Sequence, residues 1–360
     1  MMTEQEFLQE IIHTILHVDE AMRENARQHT AELVMPTRAL GRLHDLAEQV
    51  CAIQRTMSPD VSSKAVVVFA GDHGVVAEGV SAYPQQISLE MVRCFLLGGA
   101  GINAICRQVG AQVRVVDMGL LGDIDSEVQK LYKDLSIRKI APGTNNCCQG
   151  PAMSLEQARE SILAGFDEAK KLIQQGVTLL GTGDMGIGNT TPSTAIGAVL
   201  TQSSLETMVG PGTGLDLQGM EIKRKAIDRA LERNQPQAED GLDVLAKVGG
   251  FEIGAIAGYI LGGALYQVPV VIDGFISTAG ALIAQSLCPH VVGYLFAGHC
   301  SKEPGHSIML DHLGLRPILD LGMRLGEGTG GALAMDVIET GVRVFREVLT
   351  FEQASVSNKT

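Results

Sequence analysis

VTLLGTGDMGIGNTTPSTAIGAVL, residues 177–200, decides the fold. Its apolar start reads as a strand, a glycine-rich loop follows, and a helix begins near Pro192. The same rhythm surrounds it. Short apolar runs bounded by Gly and Asp occur at 65–74 (AVVVFAGDHG), 113–119 (VRVVDMG), 268–275 (VPVVIDGF) and 291–300 (VVGYLFAGHC), with helix-length segments between them. These runs are apolar on both faces, as strands buried in a parallel sheet should be. Strands separated by helices imply right-handed βαβ units and a doubly wound, mainly parallel α/β sheet of Rossmann-like type.

Each run closes in glycine with a polar group: Asp72-His73, Asp117, Asp184, Asp273 and His299. In open α/β sheets, ligands bind beyond the carboxyl ends of the strands. Turn chemistry explains any one of these groups. Five on one rim point to a site.

Composition narrows what that site serves. The 360 residues hold 28 Lys and Arg against 41 Asp and Glu, a net charge of −13. That excess argues against a nucleic-acid binder or an anionic-membrane binder, which needs a basic face, but leaves room for a small local anion site. A hydrophobic content of 45% excludes a largely disordered chain. The 42 glycines, 4% aromatics and absence of Trp suit tight strand-to-helix turns and aliphatic cores. Seven scattered cysteines, with no C-x-x-C and no metal spacing with His, read as reduced thiols of a cytoplasmic protein. The acidic N-terminal stretch does not resemble an export signal. Ile253 to Val271 is uncharged and as long as a minimal membrane span. Four glycines, Gln267 and Pro269 interrupt it, so it reads as a buried helix, a turn and a strand.

The chain ends are helical in pattern. Leu8, Ile11, Ile12, Ile15 and Leu16 fall at helical spacing within residues 1 to about 58. Pro36 is expected to open a further helix, PTRALGRLHDLAEQVCAIQ, with Thr37 and Arg38 in its first turn. A last helix is expected to run from the 324–334 loop to about Phe351.

Four constellations could carry chemistry. In GTGDMGIGNTT, Gly186 and Gly188 allow close backbone approach, and the loop with the following helix N-terminus forms an anion seat or a plain turn. It is neither a Walker A loop nor G-x-G-x-x-G. GPGTG at 210–214 precedes a helix carrying Lys223, Arg224 and Lys225. A lysine there could neutralise a phosphate or belong to a solvated face. In RLGEGTGGALA, 324–334, Glu327 is a general base or a partner of the helix dipole. In DHGVVAEGVSAYPQQISLEMV, 72–92, Ser81, Tyr83 and Gln85 offer a hydroxyl, an aromatic ring and an amide to a flat heteroaromatic ligand. There is no nucleophile elbow and no zincin His pair. The residues alone lead to an α/β enzyme for a small phosphorylated ligand.

DHGVVAEGVSAYPQ, GPAMSLEQA, GDMGIGNTTPSTAI, GTGLD, GGFEIGAIAG, DGFI and LGLRPILDLGMRLGEGTGGALA together resemble the nicotinate-nucleotide–dimethylbenzimidazole phosphoribosyltransferase family, in order, from about residue 65 to 350. The resemblance implies transfer of phosphoribose from nicotinate mononucleotide to 5,6-dimethylbenzimidazole or a related base, giving α-ribazole 5′-phosphate and nicotinate. It implies a homodimer, with a small helical domain built from both ends (1–60 and 325–360) around an α/β domain (61–324). It implies no cofactor and no metal.

Carried over residue by residue, Glu327 in LGEGTG matches the family's base. The nucleotide and phosphate contacts match Asp184, Gly186, Gly188, Gly212, Lys223, Asp273 and Ser301. The base pocket matches Ser81, Tyr83, Gln85, Met185 and Leu325. Two positions depart from the family pattern. Asp184 stands where GEMGIGNTT has glutamate, and Pro211 stands where GRGTG has arginine. A non-catalytic binder of the same fold would not need Glu327. A nicotinamide-dependent dehydrogenase would need the full G-x-G-x-x-G after its first strand.

Overall fold

The computed structural model describes residues 3–357. Its six strands are β1 (Lys64–Gly71), β2 (Ala111–Gly119), β3 (Leu135–Ile137), β4 (Leu179–Met185), β5 (Val270–Ile272) and β6 (Leu295–Ala297). They form one sheet in the order β3-β2-β1-β4-β5-β6, with every neighbouring pair parallel. This is the doubly wound order whose switch point, here between β1 and β4, opens a crevice at the carboxyl ends of the strands. The five strands expected from the apolar runs are all present. The sixth, β3, is a short edge strand of partly exposed residues and lacked such a run.

The helices before the switch point are α1 (Glu4–Thr14), α2 (Glu20–Glu32), α3 (Arg42–Gln54), α4 (Ile87–Leu96), α5 (Gly101–Val109), α6 (Ser126–Leu131) and α7 (Leu155–Gln174). After β4 come α8 (Thr190–Thr201), α9 (Leu205–Met208), α10 (Leu217–Asn234), α11 (Gly241–Val248), α12 (Phe251–Leu265), α13 (Phe275–Leu287), α14 (Gly305–Leu313) and α15 (Thr329–Glu347). The uncharged stretch 253–271 is, as read, the buried α12, a turn and β5. It packs against α7 so closely that a Cβ on Gly258 would lie 1.7 Å from the Ile162 carbonyl oxygen. Only glycine permits that crossing.

Pro36 does not open a helix. Residues 36–41 form turns, Arg38 and Gly41 take positive φ, and α3 starts at Arg42. Arg38 uses this turn to reach Asp45 and the buried Glu48 of α3. The last helix ends at Glu347, a little before the expected Phe351.

The chain ends meet. Val34 N–H donates to the Leu349 carbonyl at 2.9 Å, and Phe351 N–H to that of Glu32 at 2.9 Å. α15 joins them to the sheet. Near its start, Gly331 sits over Asp273 and Met335 over Gly181 of β4; further along, Gly341 rests on Leu43 of α3. Residues 318–319 pair with 297–300 beside β6 and carry the chain back across the strand ends into the Glu327 loop.

Candidate active site

The loop that presents Glu327 is built from consecutive positive φ values. Gly326, Glu327 and Gly328 have φ of 82°, 63° and 92°. A glutamate in the left-handed region is sparsely populated and costs about 1 kcal/mol or more. Something must hold it there. Asp273, just beyond β5, does so. One carboxylate oxygen accepts the N–H groups of Gly330 and Gly331 at 2.8 and 2.9 Å, and the other accepts that of Gly328 at 3.2 Å. The carboxylate thus meets the free donors and dipole of the α15 N-terminus. Buried His299 stands 3.6 Å away.

The Glu327 side chain is only 5% exposed. Its Oε2 accepts the Ile102 N–H at 3.1 Å, at the first turn of α5. Its own N–H points to the Asp184 carbonyl at 3.3 Å. Burial raises the Glu327 carboxyl above the ordinary value, the Ile102 N–H draws it back, and the Asp273 charge pushes it up again. The result is a carboxylate more basic than one in water.

Asp184, at the end of β4, accepts from Asn189 Nδ2 at 2.9 Å. Burial, with Asp273 as a like-charged neighbour, pushes its carboxyl up to about 8, so it is largely neutral at pH 7. Behind it lies a buried pair, His73 Nε2 and Glu252 Oε1, 2.9 Å apart. Burial disfavours the imidazolium, but the Glu252 charge and hydrogen bond together with the Asp72 charge outweigh it and raise His73. Gly186 is required by packing, because a Cβ there would lie 2.2 Å from the Gly71 carbonyl oxygen.

A cavity of about 80 Å³ opens beside these groups, with Asp184, Thr190, Gly212, Ser301, Glu303 and Leu325 on its walls. Lys223 of α10 is fully buried just behind them. It donates to Thr190 Oγ1 at 2.8 Å and to the Gly210 carbonyl at 3.1 Å. Burial lowers its ammonium to about 8, partly offset by Glu303. Of the basic triplet, Lys223 alone turns inward; Arg224 and Lys225 pair with Glu221 on the surface. Ser301 N–H donates to His306 Nδ1 at 2.9 Å, and His306 Nε2 lies 2.9 Å from Thr278 Oγ1. That pattern puts the proton on Nε2, and burial holds His306 neutral, down at about 3.

The structure therefore brings Asp184, Gly212, Ser301 and Leu325 onto one wall, with Lys223 behind it and Glu327 next to Gly326 on its rim. It does not bring Ser81, Tyr83, Gln85 or Met185 to that wall. Tyr83 is half exposed, the Ser81 hydroxyl accepts the Tyr83 N–H, and Gln85 Nε2 donates to the His73 carbonyl. Gly188 sits at the turn into α8, against Val76. Asp273 serves the Glu327 loop rather than the cavity. Sequence reasoning missed Thr190, Asn189, Glu303 and Arg324. The first two lie inside the GIGNTT motif, whose polar residues were the available signal. Among the described residues, no cluster of His, Cys, Asp or Glu could hold a metal ion.

The family model described as Phosphoribosyltransferase matches residues 15–356. The chain is 49% identical, over 97% of its length and 98% of the relative's, to nicotinate-nucleotide–dimethylbenzimidazole phosphoribosyltransferase of Geobacter sulfurreducens. It is 50% identical to the protein of that name from Geotalea uraniireducens, with the same coverage. A crystal structure of the enzyme of that name from Thermus thermophilus superposes with a TM-score of 0.89 at 45% identity, covering 95% of this chain and all of that one. The family model and these near full-length likenesses agree: the chain is an enzyme, a transferase, and belongs to the nicotinate-nucleotide–dimethylbenzimidazole phosphoribosyltransferase family.

Proposed function

We propose that this chain transfers the phosphoribosyl group of nicotinate mononucleotide to 5,6-dimethylbenzimidazole or a related base, releasing nicotinate and forming α-ribazole 5′-phosphate for the nucleotide loop of a cobamide. The observation that carries this reading is the buried Glu327 carboxylate, held in left-handed backbone next to Gly326 at the rim of a cavity whose wall carries Gly212 and Ser301, with Lys223 buried behind it.

The donor's pyridinium is already a good leaving group, so its departure needs no strong acid. This distinguishes the reaction from glycoside hydrolysis with two carboxylates. The imidazole needs one proton removed as its other nitrogen attacks C1′. Glu327, raised by burial, takes that proton near neutral pH. Attack opposite the departing nicotinate inverts the β-nucleotide to an α-riboside. Lys223, the Gly212 loop and Ser301 hold the phosphate and so the ribose. Neutral Asp184 adds no second negative charge beside it.

The proposed setting is a cytoplasmic homodimer. Exposed Leu97 and the apolar stretch Ile87–Val109, only one-third buried, support an interface at α4 and α5. The stretch is not one long rod, since Leu97–Ala100 break it into two helices.

The test is incubation of the purified protein with nicotinate mononucleotide and a panel of dimethylbenzimidazole, benzimidazole, adenine and p-cresol, with nicotinate and riboside read by mass spectrometry. Base-dependent nicotinate release supports the reading and ranks the acceptors. Nucleotide binding without release from any base contradicts it.

A further inference from the structure

Glu303 lies in the turn between Ser301 and α14 and is 6% exposed. Its Oε1 accepts the Gly212 N–H at 3.0 Å, across 91 residues of sequence. Its Oε2 is buried without a hydrogen-bond partner. Gly210 makes room for this carboxylate, since a Cβ there would lie 2.2 Å from Oε2. Lys223 spends two of its three donors on Thr190 and Gly210. The cavity wall thus combines backbone and ammonium donors, as an anion seat requires, with an internal anion already placed on one of those donors.

We infer that Glu303 is a displaceable stand-in for the donor's phosphate, holding the Gly212 N–H in the free enzyme and giving it up when the phosphate enters. The inference rests on the assignment of this wall to the nucleotide's phosphate under the proposed function. A carboxylate oxygen and a phosphate oxygen are the same kind of acceptor with the same sign of charge. Both cannot hold one N–H without strong repulsion at low local dielectric. Release exchanges like for like: one hydrogen bond and the nearby Lys223 charge hold the carboxylate, its second oxygen has no partner to lose, and the entering phosphate takes up both attractions. In the free enzyme it keeps the Gly212 donor satisfied, which an empty buried site would not. Its return after transfer favours release of the phosphorylated product.

The test compares wild type with Glu303→Gln by isothermal titration of nicotinate mononucleotide, its dephosphorylated riboside and inorganic phosphate. The amide oxygen can still accept from Gly212, so the loop stays tethered while the charge is gone. The expected result is that the nucleotide and inorganic phosphate each bind at least about tenfold more tightly, the modest end of removing one like-charge neighbour, while riboside affinity is unchanged. Glu303→Asp, which withdraws the charge by one methylene, should move phosphate affinity the same way by less. A purely structural tether predicts no gain for phosphate, or a loss for all three ligands, and either outcome overturns the inference. Tighter inorganic phosphate with no affinity for nicotinate mononucleotide in either protein would instead refute the donor assignment and leave the stand-in role in place.

Discussion

The Glu327 carboxylate accepts the Ile102 N–H at 3.1 Å, so the proposed base is oriented by the N-terminus of a helix lying 225 residues earlier in the chain. The bond aims the carboxylate and limits how far burial can raise it. The other half of the support comes from Asp273, which fastens the backbone on the C-terminal side of Glu327. Two distant elements thus converge on one side chain.

Replacing Glu327 by Gln keeps the shape and removes the base. Turnover should fall by about 10²–10⁴-fold, the usual share of a general base, while nucleotide affinity persists. Steady-state kinetics beside a binding isotherm decide this. Full turnover in the variant would remove Glu327 from its role.

Lys223→Ala should weaken nicotinate mononucleotide binding far more than it lowers turnover at saturation, because in the proposed reading the ammonium serves the phosphate rather than the reacting centre. Unchanged nucleotide affinity would count against the assignment.

The pH profile follows from three groups. Glu327 is raised, so its base form is lost as pH falls, and the acid limb of kcat/KM should lie above the ordinary carboxylate range. Lys223 loses its charge, and Asp184 gains one, as pH rises through about 8. Both changes oppose phosphate binding, so KM should climb there. The acid limb should vanish in Glu327→Gln, and a limb that stays would belong to another group.

Asp184→Asn imitates a carboxyl that is already largely neutral at pH 7. Turnover at that pH should stay within a few-fold of wild type, and the rise in KM above pH 8 should shrink. A loss of about 10²-fold or more, the size of a proton-transfer effect, would show that the ionised form is needed.

Asp273→Asn offers one carbonyl oxygen and an NH₂ to three N–H donors. Stability should fall by about 1–3 kcal/mol, the cost of a buried donor left unpaired, and turnover should fall as the Glu327 loop loosens. Riboside and nucleotide should lose affinity alike, if at all. A selective loss of nucleotide affinity would return Asp273 to the phosphate.

How legible each part was in the sequence depended on how local its cause is. Strands such as Lys64–Gly71 are buried on both faces, and the run of apolar side chains says so. Leu135–Ile137 is three residues at an edge and pairs only with β2, so nothing in its composition announces it. Pro36 looked like a helix start because proline suits that position, but Arg38 and Gly41 divert the backbone first. At the site, the Glu327 loop stood out in the sequence as a glutamate between glycines before a helix, but that pattern left a general base and a helix-dipole partner equally open, and only the family resemblance favoured the base. Asp273 looked like a ligand because its partners are backbone N–H groups more than 50 residues away. Glu303 was invisible for the same reason, its partner Gly212 lying far back in the chain.

The most direct test of the central claim is the configuration of the product. The enzyme would be incubated with nicotinate mononucleotide and dimethylbenzimidazole, and the riboside read by nuclear magnetic resonance as nicotinate is released. The account predicts one α-riboside 5′-phosphate per nicotinate, formed only when base is present. A β-configured product, or nicotinate released without base as simple hydrolysis, would contradict an inverting transfer with Glu327 as its base.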